Sequence, residues 1–192
     1  MNLLFLNINE TNELHSFIES WSKLYSFSNE LVYKNAISKK ELTKTDIQNL
    51  YVWKNGMKLS VLKQKSLEDK IKSKLSIIND FKSNDEINLV EFSKEFKNLS
   101  AVWKIFLLHL INPNIYPIYD QHIHRTFLFI HEEEYKDLSN KSISNKEKEE
   151  FYFKKYLPFI KENSIKDLKK LDEAFFAFGQ FLNTRNYRTL FK

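Results

Sequence analysis

Cysteine is absent from the 192 residues. That one absence excludes disulfides, zinc fingers, thiol nucleophiles and cysteine-ligated iron–sulfur clusters, and it leaves the redox compartment open. Glycine occurs only at Gly56 and Gly179, so no Gly-rich phosphate loop can be assembled. With three prolines besides, the chain has too little turn chemistry for a many-stranded sheet, and it reads as helices joined by polar loops. Long apolar runs are missing too. The strongest, Ile105 to Ile111, contains His109 and falls far short of a membrane span. The Leu3 to Leu6 run is too short for a signal peptide and has no basic residue before it, so the expected location is cytoplasmic, with no membrane partner.

What is abundant is aromatic surface. Seventeen Phe, nine Tyr and three Trp give 15% aromatics, enough to offset the ordering entropy of one compact domain or of two small lobes sharing a core. Lys plus Arg is 30 against 25 acids, a net charge of +5 that suits nucleic acid without demanding it. Nearly all of that charge is lysine; the only arginines are Arg125, Arg185 and Arg188, and an AT-rich genome yields the same Lys, Asn and Ile bias.

Along the chain, Leu14, Phe17, Ile18, Trp21, Leu24 and Tyr25 share one face of a first helix that ends before the polar Ser26 to Asn29. Thr45 with Gln48 reads as a capping box for a helix stopping at Asn55-Gly56, and Ser66 with Asp69 as another, opening a helix with Leu67, Ile71, Leu75 and Ile78 on one side. A short helix carries Leu89, Phe92 and Phe96. Ser100 to Ile111 differs in kind: only Lys104 and His109 interrupt its apolar character, which predicts a helix buried all round, with His109 a hydrogen-bonded core residue. Asn112-Pro113 ends it, Pro117 prevents its resumption, and Asp120 is placed to cap a helix carrying Ile123, Phe127 and Ile130. Glu132 to Glu150 reads as a surface loop, Phe151 to Lys161 as a helix interrupted by Pro158, and Ser164 with Asp167 as the caps before Leu168, Leu171, Phe175, Phe178 and Leu182. The weak strand candidates are Leu3 to Ile8 and Glu30 to Tyr33.

The segment Pro117-Ile-Tyr-Asp120-Gln-His122-Ile123-His-Arg125 places an acid at a helix start, a His two residues on and an Arg five residues on. It resembles the segment carrying the catalytic aspartate in the helix-hairpin-helix DNA glycosylases, the superfamily of endonuclease III, the adenine-mismatch glycosylase and the 8-oxoguanine glycosylases. Asp120, His122, Ile123 and Arg125 match that pattern in order, after a buried helix and a short Pro-containing loop. The likeness covers roughly residues 89 to 131; Leu171 to Gly179 also looks like a late helix of the group. It implies an all-α, two-lobed fold, with a middle lobe of about residues 38–131, the helices of 10–27 and 145–192 forming the other lobe, and Asp120 presented in the groove.

Two departures qualify the activity the resemblance implies. Family members carry a Leu-Pro-Gly-Val-Gly-like turn whose amides grip a DNA phosphate; here Asn98-Leu99-Ser100 stands in its place without glycine. Bifunctional members place a sugar-attacking lysine near the start of the buried helix, where this chain has Ser100, with Lys104 one turn further along. Burial would make Lys104 a better nucleophile, though such a lysine more often reaches solvent or pairs with an acid. The resemblance therefore implies a monofunctional enzyme using water, without metal or cofactor.

An Asp suits this chemistry because cleaving an N-glycosidic bond builds positive charge on the sugar as the base departs, and a fixed carboxylate stabilises that state or activates water. The same Asp120 also serves as a plain N-cap worth about 1 kcal/mol. Arg125 suits either a phosphate contact or a structural pair. Tyr116 and Tyr119, with Trp103 and Ser100, are candidates to line a pocket for an extruded base, or ordinary core-edge residues. Trp53, Lys54, Lys58 and Lys63 put an aromatic among basic residues, as a nucleic-acid contact does, and equally describe a helix C-terminus. His122 and His124 diverge on a helix and no His-x-x-x-His pair occurs, so no metal site is expected. The leading expectation is a base-excision N-glycosylase acting on DNA or a nucleoside, in repair or in removal of modified bases from foreign DNA. The competing one is a non-catalytic module that binds nucleic acid or protein. A metal-dependent hydrolase built on His122, His124 and Asp120 is a third.

Overall fold

The computed structural model describes residues 11–84, 86–133 and 143–184. All regular structure among them is helical, and no helix among them is long and apolar enough to cross a membrane. The elements in chain order are α1 (Thr11–Ser22), α2 (Glu30–Ile37), α3 (Lys44–Asn55), α4 (Val61–Lys70), α5 (Leu75–Ser83), α6 (Leu89–Glu95), α7 (Ala101–Ile111), α8 (Gln121–Ile130), α9 (Asn145–Phe151), α10 (Leu157–Glu162) and α11 (Leu168–Leu182). They divide into two compact units, residues 27–113 and residues 1–26 with 114–192. The division differs from the expected middle lobe of 38–131: α8, and Asp120 with it, groups with the first and last helices.

In the unit of residues 27–113, α7 is the core helix, with Ile105, Phe106, Leu107, Leu108 and Leu110 all buried. Aromatic rings converge on it, Tyr51 meeting Phe106 edge-on at 5.2 Å and Trp53 lying over it at 6.1 Å. His109 is fully buried and bonded to the Tyr33 hydroxyl at 2.8 Å. Polar side chains finish the backbone where helices end. Asn79 both donates to and accepts from the backbone of Leu42, at 3.0 and 2.9 Å, and the Lys82 ammonium donates to the Leu110 carbonyl at 2.6 Å. Burial lowers the Lys82 pKa, and the carbonyl it binds sits where a cation is favoured, at a helix C-terminus.

Several expected boundaries shift. The capping box of α3 is Thr43 with Asp46, not Thr45 with Gln48, because Thr43 is the residue in extended geometry and its hydroxyl accepts from the Asp46 N–H at 3.1 Å. Ser60 caps α4, which leaves Ser66 inside the helix; the run expected to be continuous to Ile78 breaks at Ile71, whose φ of −121° leaves the helical region. Glu30 to Tyr33 is the start of α2 rather than a strand, and Tyr33 and Ala36, three apart, form its buried side. The strand candidate Leu3 to Ile8, most of the loop after Glu133, and the tail arginines lie outside the described residues.

In the other unit α11 is central, packed against α1 and α8. Phe17 of α1 meets Phe175 and Phe178 edge-on at 5.9 and 5.1 Å. Residues 145–150, expected as loop, join Phe151 in α9 behind a complete Ser144–Glu147 capping box. Pro158 does not interrupt the next helix. The turn before it, Tyr152–Tyr156, widens to π geometry with Leu157 N–H bonded to the Tyr152 carbonyl, an accommodation to a proline that has no N–H to donate back along the helix. Asp167 alone caps α11, its carboxylate accepting from Lys170 N–H at 2.9 Å, while Ser164 takes a positive φ of 51° outside the helix.

Gly179 explains how α8 and α11 touch. A Cβ there would stand 2.1 Å from the His122 carbonyl oxygen, so the backbones approach at a distance only glycine permits. Gly179→Ala is therefore expected to lower unfolding free energy by about 3 kcal/mol in urea titration, since neither backbone can yield as a side chain would. Gly56→Ala, strained at φ 71° but facing nothing closer than 3.7 Å, should cost about 1 kcal/mol.

Candidate active site

The loop between α7 and α8 takes its shape from groups on later helices. Asp172 of α11 is only 4% exposed. Its Oδ2 accepts the Ile118 N–H at 2.7 Å and its Oδ1 accepts the Tyr156 hydroxyl at 3.1 Å. Tyr152, on the π turn, donates its hydroxyl to the Pro117 carbonyl at 2.8 Å. Burial first, and the Asp172 charge second, hold both phenols far above their ordinary pKa, so they remain proton donors. A buried carboxylate is costly unless hydrogen-bonded, and here backbone and phenol supply the donors.

Two residues beyond this anchor the chain reaches Asp120. Its backbone is extended (φ −145°, ψ 157°), its Oδ1 accepts the His122 N–H at 3.0 Å, and its carbonyl accepts His124 N–H to begin α8. The carboxylate is partly exposed at a helix N-terminus, a place that favours negative charge. Tyr119, just before it, is buried, and its hydroxyl lies 3.0 Å from His124 Nδ1. Burial and the Asp120 charge push the Tyr119 phenol well up. The His124 ring stacks on Phe151 at 3.6 Å; burial, with the Lys155 charge next, brings its pKa down to about 4. A neutral His124 therefore accepts the Tyr119 O–H.

The remaining positions of the motif face inward. Ile123 is buried. Arg125 is 4% exposed, and its Nη1 donates to the Gly179 carbonyl at 3.1 Å and to His122 Nδ1 at 2.8 Å, while the His122 ring meets Phe176 edge-on. Arg125 thus ties α8 to α11 and orients His122; of the two roles open to it in the sequence, this is the structural one. One residue on, Thr126 donates its hydroxyl to the Phe175 carbonyl at 2.6 Å.

Of the other expected site residues, Tyr116 and Tyr119 fall in the same unit as Asp120, and Ser100, Trp103 and Lys104 in the other. Burial of Tyr119 and its bond to His124 make it a core residue rather than a base-stacking platform, and burial also raises the Tyr116 phenol. Ser100 is exposed and heads α7 without a side-chain cap bond. Trp103 packs edge-on against Tyr51, whose hydroxyl donates to the Trp103 carbonyl; Lys104 is partly exposed. Trp53 is 6% exposed, stacked on Tyr33 at 4.5 Å and covered by Phe27 at 5.3 Å. That corrects its expected place as a nucleic-acid contact: Gly56 in left-handed geometry ends α3, and Trp53 belongs to the core. Lys54 is partly exposed, and Lys58 and Lys63 are exposed, the Lys63 ammonium donating to the Asn55 side-chain oxygen. Among the described residues no group of three or more His, Asp or Glu is arranged to hold a metal ion.

Asp172, Tyr152, Tyr156 and Gly179 were not singled out for the site by sequence reasoning. Their one signal is spacing: Asp172, Phe175 and Gly179 stand at i, i+3 and i+7, which puts an acid and a glycine on the apolar face of α11. Comparison with protein-family models, characterised proteins and solved structures finds no match to the chain.

The lowered His124 pKa fixes a sign for the pH dependence. Unfolded, the imidazole takes a proton near its ordinary 6.5; folded, only near 4, so between these values the unfolded chain binds more protons and stability is lost as the pH is lowered. Denaturation series should show a loss on the order of 3 kcal/mol from pH 7 to pH 4 attributable to this residue, and His124→Gln should flatten that part of the profile.

Proposed function

We propose that the chain is a monofunctional N-glycosylase that releases a damaged or modified base from DNA, or from a related nucleoside, with Asp120 as its essential carboxylate. What carries the reading is the setting of that carboxylate: it heads α8 on a loop held two and three residues earlier by Asp172 and Tyr152. Charge fixed before reaction lowers a barrier further than charge that must be reoriented during it. As the glycosidic C–N bond breaks, its electron pair leaves with the base, which takes up a proton. Asp120 stabilises the positive charge left on the sugar and orients the water that adds to the same carbon, and the water's proton passes to the carboxylate or to solvent. His122, whose ring is bonded by Arg125, donates its backbone N–H to that carboxylate. Base repair and removal of modified bases from foreign DNA both fit this chemistry.

A second reading, a glycosylase-like module that binds nucleic acid or protein without catalysis, draws on two observations. Asn98-Leu99-Ser100 offers no glycine turn ahead of α7, and the Arg125 guanidinium is engaged by Gly179 inside the unit.

Base release from a panel of normal, damaged and modified DNA, single- and double-stranded, separates the two. Asparagine caps a helix as well as aspartate, so Asp120→Asn should melt as the wild type does while losing release by at least about 100-fold. Asp120→Ala should lose release and also about 1 kcal/mol of stability. No release from the wild type on any substrate would overturn the glycosylase reading in favour of the module.

A further inference from the structure

The α3–α4 connection exposes apolar side chains that the unit of residues 27–113 leaves uncovered. Met57 is 71% exposed, Val61 85% and Leu62 81%, the last two on the first turn of α4, where only Leu67 further along is buried. Lone exposed apolar residues are commonplace, but here three fall within six positions of one connection. From Lys54 to Ser66 the chain carries four lysines, Lys54, Lys58, Lys63 and Lys65, and no acid. The next acid, Glu68, is bonded to the Lys72 ammonium and to Gln64. A cleft of about 220 Å³ opens beside Met57, with Val32 and Val52 as apolar walls, Asn29 and Asn49 as polar ones, and Lys58 as its one charged lining residue.

We propose that this surface docks an acidic protein segment carrying apolar side chains, one of which enters the cleft. The combination selects that partner. Lysines alone would suit any polyanion, but a phosphate backbone gives nothing to Met57, Val61 and Leu62, and Trp53, which borders the cleft, is only 6% exposed, with Tyr33 stacked on its ring and Phe27 edge-on to it, so it offers no open face to a base. An amphipathic acidic helix satisfies both halves, carboxylates meeting the lysines while its apolar stripe covers the three aliphatic side chains and fills the cleft. The surface is built wholly within one unit and is independent of the role assigned to Asp120.

The test uses labelled synthetic helices of about fifteen residues, titrated against the full chain by fluorescence anisotropy. One carries leucines at i, i+3 and i+4 spacing among glutamates; the others replace either the leucines by serine or the glutamates by lysine. The first should bind, and the other two at least about tenfold more weakly. Lys58→Glu with Lys63→Glu, and separately Met57→Ser with Leu62→Ser, should each weaken binding at least about tenfold with unchanged melting, as expected for exposed positions. Failure of the leucine–glutamate helix to bind would overturn the proposal. So would binding that ignores the Met57 and Leu62 changes, or duplex DNA that binds tighter than the helix and depends on the lysines alone, an outcome that assigns the patch to nucleic acid.

Discussion

A carboxylate sealed inside the protein, that of Asp172, sets the geometry on which the candidate site depends. Taking it out of water is costly, and donation from the Ile118 amide and the Tyr156 phenol offsets that cost. The same helix then holds α8 in two further ways: the Phe175 carbonyl accepts from Thr126, and the Gly179 carbonyl accepts from Arg125 where the backbones come closest. Positions 172, 175 and 179 lie along one face of α11. The loop before Asp120 and the helix after it are thus referenced to one rigid element, which leaves Asp120 little freedom to wander.

The π turn at Tyr152–Tyr156 belongs to the same arrangement. Tyr152 and Tyr156, four apart on a widened turn, send their phenols to different targets, the Pro117 carbonyl and Asp172. Local widening of a helix re-aims side chains that a regular helix would stack, and here both re-aimed groups bear on the loop that carries the candidate carboxylate.

Much of this was legible in the sequence, for identifiable reasons. The scarcity of glycine and proline pointed to helices, the nearly unbroken apolar run of Ala101 to Ile111 to the core helix, and Asp120 after Pro117 to a helix cap. Each rests on local chemistry. What failed to show rested on partners distant in sequence. Asp172 lies 54 residues from Ile118, and Arg125 lies 54 residues from Gly179, so nothing near either residue announces the bond. Trp53 read as a nucleic-acid contact or as part of a helix C-terminus, and its place in the core did not show because its covering rings, Phe27 and Tyr33, come from another part of the chain. Caps were misplaced by two residues at Thr43 and six at Ser60, since several Ser and Thr stood in range and only backbone geometry distinguishes the one that caps.

The claim that the interior of the protein, rather than the loop itself, fixes Asp120 can be measured without any substrate. Hydrogen exchange at the Ile118 amide reports the bond to Asp172 directly. The account predicts slow exchange in the wild type and exchange faster by at least about tenfold in Asp172→Ala, while amides in the middle of α11 keep their protection. Equal protection of Ile118 in both proteins would contradict it.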